Sequence, residues 1–140
     1  MEHHPDRYLI DLLLRRFGYL ETELMSELEK KPEFELTRQQ VMFFSYLNTT
    51  CARASDIARE MKISRQAVHQ MVVELENKGF VERAKDPVRG NAKIILKTEK
   101  GKALTKAARD QLEETEQNIC KNIGEKNMEN LRKILLQDWG

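Results

Sequence analysis

At 140 residues, with 40% apolar and 34% charged side chains, the chain has the composition of a helix-rich, water-soluble protein built on one small domain with extensions. No apolar run approaches the roughly 20 residues that a membrane helix needs, and MEHHPDRYLI lacks the basic start, apolar stretch and cleavage site of a secretory signal. The net charge of +1 hides a partition. Residues 1–36 carry 5 basic and 9 acidic side chains, residues 37–100 carry 12 and 7, and residues 101–140 carry 7 and 7. The basic excess of the middle segment suits attraction to a polyanion. A cytoplasmic protein with no membrane partner is expected.

From Tyr8 to about Leu28, the residues Leu9, Leu12, Leu13, Phe17, Leu20, Leu24 and Leu28 recur at threes and fours. That spacing predicts a long amphipathic helix, ended or turned at Pro32. A second helix is expected from Thr37, as N-cap, to Leu47, with Val41, Phe44 and Leu47 facing a core. The polar connector 48–53 leaves room for a short strand near Ala52.

Residues 55–83, SDIAREMKISRQAVHQMVVELENKGFVER, carry the most information. Ile57 and Met61 lie four apart, Ile63 falls at a turn, and Val68 and Met71 point inward from a following helix, with small Ala58 allowing close approach. This is a helix-turn-helix pattern, with Ser55 and Ser64 as expected N-caps and Lys78-Gly79 as the stop. Phe80–Lys85 and Lys93–Lys97 read as two strands around the hairpin tip Asp86-Pro87-Val88-Arg89-Gly90-Asn91, which makes a wing. Thr98 then caps a helix from about Glu99 to Ile123, Gly124 breaks it, and a last helix runs from about Lys126 to Gln137.

The fold class is therefore mainly α with a small β wing: a winged helix-turn-helix with long terminal helices. The expected organisation is an N-terminal dimerisation helix in 1–36, a winged helix-turn-helix DNA-binding domain in 37–100, and C-terminal dimerisation helices in 101–140. The leucine stripes of the two ends exceed what a winged-helix core of about 65 residues covers. A second copy is the economical cover, and a two-fold dimer also suits an inverted repeat of double-stranded DNA.

On LTRQQ, SDIAREMKIS, AVHQMVVELENKGFVER, KIILKTEKG and NICKNIGEKNMENLRKILLQ, the chain resembles the MarR family of winged-helix regulators along nearly its whole length. The resemblance implies a homodimeric transcriptional regulator, often a repressor released by a small-molecule effector or by oxidation. It carries Ser64, Arg65, Gln66, His69 and Gln70, in helix 64–78, to the major groove. In the wing, 86–93, it carries Arg89 to the minor groove, with Lys93 on a phosphate. The wing departs from the family pattern: Asp86 and Arg89 are displaced, and Gly90 and Asn91 stand where Arg is common.

The residue chemistry fits that placement. Arg pairs with guanine O6/N7, Gln reads adenine, and Arg53, Lys62, Lys85 and Lys93 are expected on phosphates. Against this stands an ordinary solvated helix face. No phosphate loop, nucleophile elbow, dinucleotide fingerprint or paired metal motif is present, so no enzyme, cofactor or metal is expected. His69 has no nucleophile or carboxylate partner in sequence and reads as a polar contact. Cys51 and Cys120 lack metal-ligand spacing, and a buried thiol is the favoured role for Cys120 over redox sensing. His3 and His4 beside Pro5 allow only adventitious metal binding. Phe17, Tyr19, Phe43, Phe44 and Tyr46 read as core, with an effector pocket as the alternative. The rival function is a winged-helix protein-interaction module that does not touch DNA.

Overall fold

A computed structural model describes residues 8–49 and 52–140. The order is α1 (Leu9–Glu29), a 3-10 turn (Pro32–Phe34), α2 (Arg38–Thr49), α3 (Ala54–Met61), α4 (Arg65–Asn77), β1 (Val81–Lys85), β2 (Lys93–Lys97), α5 (Glu99–Ile123) and α6 (Glu125–Leu136). Every expected helix is present, and both strands form one antiparallel pair in the register Val81↔Lys97 to Lys85↔Lys93. The chain divides into two compact units, residues 31–107 and residues 1–30 with 108–140.

In the unit 31–107, α2 opens with a capping box. The Gln40 N–H donates to Thr37 Oγ1 at 3.2 Å, and the Thr37 N–H donates to Gln40 Oε1 at 3.1 Å. Gln40 is buried, so its amide needs partners, and it finds them in Glu74 Oε2 (3.0 Å) and Lys78 Nζ (3.2 Å). These bonds tie the start of α2 to α4. Below them lie Phe43, Ile57, Val68, Leu75 and Phe80, all fully buried. Phe80 meets Phe34 and Phe44 at ring centroid distances of 6.3 and 6.2 Å, within the range of favourable aromatic pairs.

Two tight stops shape the motif. Lys62 adopts the left-handed conformation after α3, with the Ile63 N–H on the Ala58 carbonyl (3.1 Å) and the Lys62 N–H on the Arg59 carbonyl (3.3 Å). Gly79 does the same after α4, with Phe80 N–H on the Leu75 carbonyl and Gly79 N–H on the Glu76 carbonyl, both at 2.9 Å. Both are Schellman motifs, and Lys62 bears a strain of about 1 kcal/mol that a glycine would not. Thr98 caps α5 by accepting from the Gly101 N–H (3.2 Å) while its hydroxyl donates to the Gly79 carbonyl (2.5 Å).

Two local expectations need correction. Arg53, not Ser55, is the N-cap of α3, with extended backbone and no side-chain cap bond; Ser55 lies inside the first turn. Ala52 forms no strand. Its carbonyl accepts the Ile95 N–H at 2.7 Å, but its φ of 56° is incompatible with extension, and the sheet has two strands among the described residues.

In the other unit, Leu24, Met25, Leu28 and Thr115 are buried, and Arg132 of α6 pairs with Glu116 of α5. The rest of the apolar stripe is bare. Leu9, Leu12, Leu13 and Phe17 of α1 and Leu131, Ile134, Leu135 and Leu136 of α6 are exposed, and α6 buries no residue. Phe17 and Tyr19 are thus not core in the protomer, whereas Phe43 and Phe44 are. Cys120 is half-buried in α5. Cys51, His3 and His4 lie outside the described residues. Among the described residues, no helix is long and apolar enough to cross a membrane.

Candidate nucleic-acid interface

Helix α4 presents two chemically opposite faces. Val68, Met71, Val72 and Leu75 are buried, whereas Ser64, Arg65, Gln66, His69 and Gln70 are all exposed. Arg65 and His69 form one i, i+4 row and Gln66 and Gln70 the next, so four hydrogen-bonding side chains share a strip about one and a half turns long. Ser64 fixes the start of that strip: its Oγ accepts the Ala67 N–H at 3.0 Å.

The wing is pinned beside this helix by one carboxylate. Asp86 is 3% exposed and follows directly after β1. Its Oδ2 lies 2.6 Å from Arg53 Nε, and its Oδ1 accepts the Val88 N–H at 2.9 Å. Its own N–H donates to the Ala92 carbonyl, and the Ala92 N–H donates to the Arg89 carbonyl, at 2.9 and 2.8 Å. The hydrogen bond from Arg53, then that from Val88, hold the Asp86 carboxyl below its ordinary pKa. The tip is therefore fastened to the N-cap of α3 by a charged pair that stays ionised at neutral pH.

Arg53, Arg59, Arg65 and Arg89 converge on a cleft of about 580 Å³ that Ser55 and Asp56 also line. Asp56 is engaged by Arg59 at 2.7 Å, so the rim has a surplus of guanidinium charge. Such a concavity concentrates anions, and its planar donors match phosphate oxygens. A smaller depression of about 230 Å³ under the wing is lined by His69, Arg83 and Lys93. Arg83 Nε is 2.8 Å from Glu76 Oε1 but off the N–H direction, an ion pair rather than a good hydrogen bond.

Each expected site residue can now be placed. Ser64, Arg65, Gln66, His69 and Gln70 form the outer strip of α4, and Arg65 also reaches the cleft. Lys85 and Lys93 are cross-strand partners at the tip end of the wing, both exposed. Lys62 is exposed in the turn between α3 and α4. Arg53 is largely covered and bound to Asp86, so its first role is to hold the wing. Sequence reasoning missed Arg59, a cleft residue, and the anchoring role of Asp86. Nothing local marks Arg59, whereas the Asp-Pro start of the tip was a usable signal for a side chain that organises a turn. Among the described residues, no group of three or more His, Cys, Asp or Glu side chains is placed to hold a metal ion.

Residues 34–90, which run from the 3-10 turn into the wing, match the MarR family. No curated protein matches the chain by sequence alone. Among solved structures, CouR from Rhodococcus jostii RHA1 bound to p-coumaroyl-CoA is similar, with a TM-score of 0.73 and 20% identity over 96% of this chain and 93% of that one. The MepR–DNA complex of S. aureus has a TM-score of 0.70 and 22% identity, covering 91% of each chain. The oxidised form of MarR from E. coli has a TM-score of 0.72 and 20% identity, again covering 91% of each. The segment that matches the MarR family contains the whole helix-turn-helix, and the chain shares the winged-helix fold of these structures over more than nine-tenths of its length.

Proposed function

We propose that the protein is a homodimeric, sequence-specific transcription regulator that represses by occupying a pseudo-palindromic operator in the cytoplasm. The observation that carries this reading is the exposed strip Arg65, Gln66, His69 and Gln70 beside a cleft rimmed by four arginines. The strip supplies donors and acceptors for base edges in the major groove, and Ser64, at the capped start of α4, faces the backbone. Arg53, Lys62, Lys85, Arg89 and Lys93 supply phosphate attraction, with the wing laid along the adjacent minor groove. A like arrangement is supported by the fold shared with MepR, whose structure contains DNA.

The bare leucines of α1 and α6 are the surfaces a second copy would cover. Burial of each large apolar side chain stabilises by about 1.5–3 kcal/mol, and a two-fold pair sets two recognition helices one DNA turn apart. A small-molecule effector would act by changing that separation; CouR, of the same fold, is seen bound to p-coumaroyl-CoA.

Fluorescence anisotropy on an operator recovered by genomic selection tests the reading. Gln66→Ala with Gln70→Ala should weaken operator binding about tenfold or more while leaving random-sequence affinity unchanged. Wild-type affinity should fall steeply between 50 and 200 mM salt, on the order of a hundredfold or more. A protein that binds no duplex at low salt would instead be a protein-interaction module.

A further inference from the structure

The wing tip has an apex and a flank, and they differ in chemistry. Val88 is 83% exposed, next to exposed Pro87, whereas Arg89, although exposed, lines the cleft that Arg53 and Arg65 also line. The apex is not loose. Val88's N–H is bound by Asp86, and Asp86 is bound by Arg53, so the apolar side chain is held outward on an anchored turn. An exposed arginine on the lining of a cationic cleft is placed for a backbone phosphate. An apolar pair at a fixed apex is placed for the floor and sugar walls of a groove.

Resting on the DNA-binding reading, we infer that Pro87–Val88 is the element of this wing that enters the minor groove, and that Arg89 clamps a phosphate at its edge. This reverses the assignment that the family resemblance gives to Arg89. It also gives the wing a sequence preference. In the minor groove a G·C pair adds the guanine 2-amino donor, which an A·T pair lacks. An apolar tip offers that donor no acceptor and displaces its water, so A·T flanks are favoured by exclusion. The narrow groove of A·T-rich sequence also brings its walls into contact with a branched side chain.

The test uses operator duplexes whose flanking pairs, where the wings lie, are A·T, G·C or inosine·C. Inosine lacks the 2-amino group but keeps the guanine major-groove edge. Wild-type protein should bind the A·T and inosine·C flanks alike, about five- to tenfold tighter than G·C. Val88→Ser, which alters an exposed side chain, should bring that preference below about twofold by weakening the A·T and inosine·C complexes. Arg89→Ala should weaken all three equally and lower the salt slope by about one phosphate's worth. The inference is overturned if Arg89→Ala abolishes the flank preference while Val88→Ser keeps it, or if wild-type protein binds the operator with no flank preference. Absence of any operator binding by wild-type protein would remove the underlying reading as well.

Discussion

Replacing Gly101 by alanine puts a methyl carbon 2.2 Å from the Phe80 carbonyl oxygen and 3.3 Å from both Phe80 C and Lys97 Cβ. The obstacle is backbone, which cannot rotate aside. Moving the carbonyl by the roughly 1 Å required would strain the bond from the Thr98 N–H (3.1 Å) and shift Phe80, which is 1% exposed. Overpacking of this kind costs about 1–3 kcal/mol and a weakened hydrogen bond about 1 kcal/mol more. Alanine's better helix propensity returns at most about 1 kcal/mol, so a net loss of about 2 kcal/mol is expected. Gly18 supplies the control. A Cβ there meets nothing within 4 Å, so Gly18→Ala should stabilise by up to about 1 kcal/mol. Thermal melts followed by circular dichroism at one protein concentration should show Gly101→Ala lower by about 8 °C and Gly18→Ala slightly higher. A Gly101→Ala protein melting at or above wild type would refute the claim that close approach to Phe80 selects glycine.

Other consequences are equally direct. Asp86→Asn keeps an acceptor for Val88 but loses the buried ion pair with Arg53, so operator affinity should drop about five- to tenfold and the melting temperature should fall. Because the folded Asp86 pKa is depressed, its contribution is complete above the ordinary carboxylate value, about 3.9, and is lost only as pH falls through the lower folded value. Wing amide chemical shifts should therefore hold steady from pH 7 to about pH 5; movement of the Val88 and Ala92 resonances in that window would contradict it. Ser64→Ala removes the α4 cap and should cost about 1 kcal/mol in urea denaturation. Phe17→Asp with Leu135→Asp alters only exposed side chains and should shift sedimentation from dimer to protomer without loss of helix content; a dimer that survived would place the interface elsewhere.

Much of this architecture is written in short-range pattern. The 3.6-residue spacing of Ile57 with Met61 and Val68 with Met71, the Ser64 cap, the Lys78-Gly79 stop and the strand pair around an Asp-Pro tip each depend on neighbours within a few positions. Helix order and the outward strip of α4 were accordingly legible. Two near misses show the limit of such signals. Ser55 looks like a cap, yet the helical backbone already begins at Ala54, so Arg53, whose side chain pairs with Asp86, holds that place. Ala52 looks extendable, but its carbonyl serves Ile95 from a left-handed backbone.

The sequence alone decided which residues form the exposed polar strip of α4: it put Arg65, Gln66, His69 and Gln70 on one side of a helix whose other side had to be buried. Tertiary structure decided what the remaining charges do. Arg53 and Asp86 are 33 positions apart, and only their 2.6 Å approach turns one into a tether for the other. The same folding draws Arg59 and Arg89 into one cleft and leaves Val88 at the apex. Periodicity specifies which way a side chain points from its own helix, but ion pairing depends on distance through space, which only the packed chain defines.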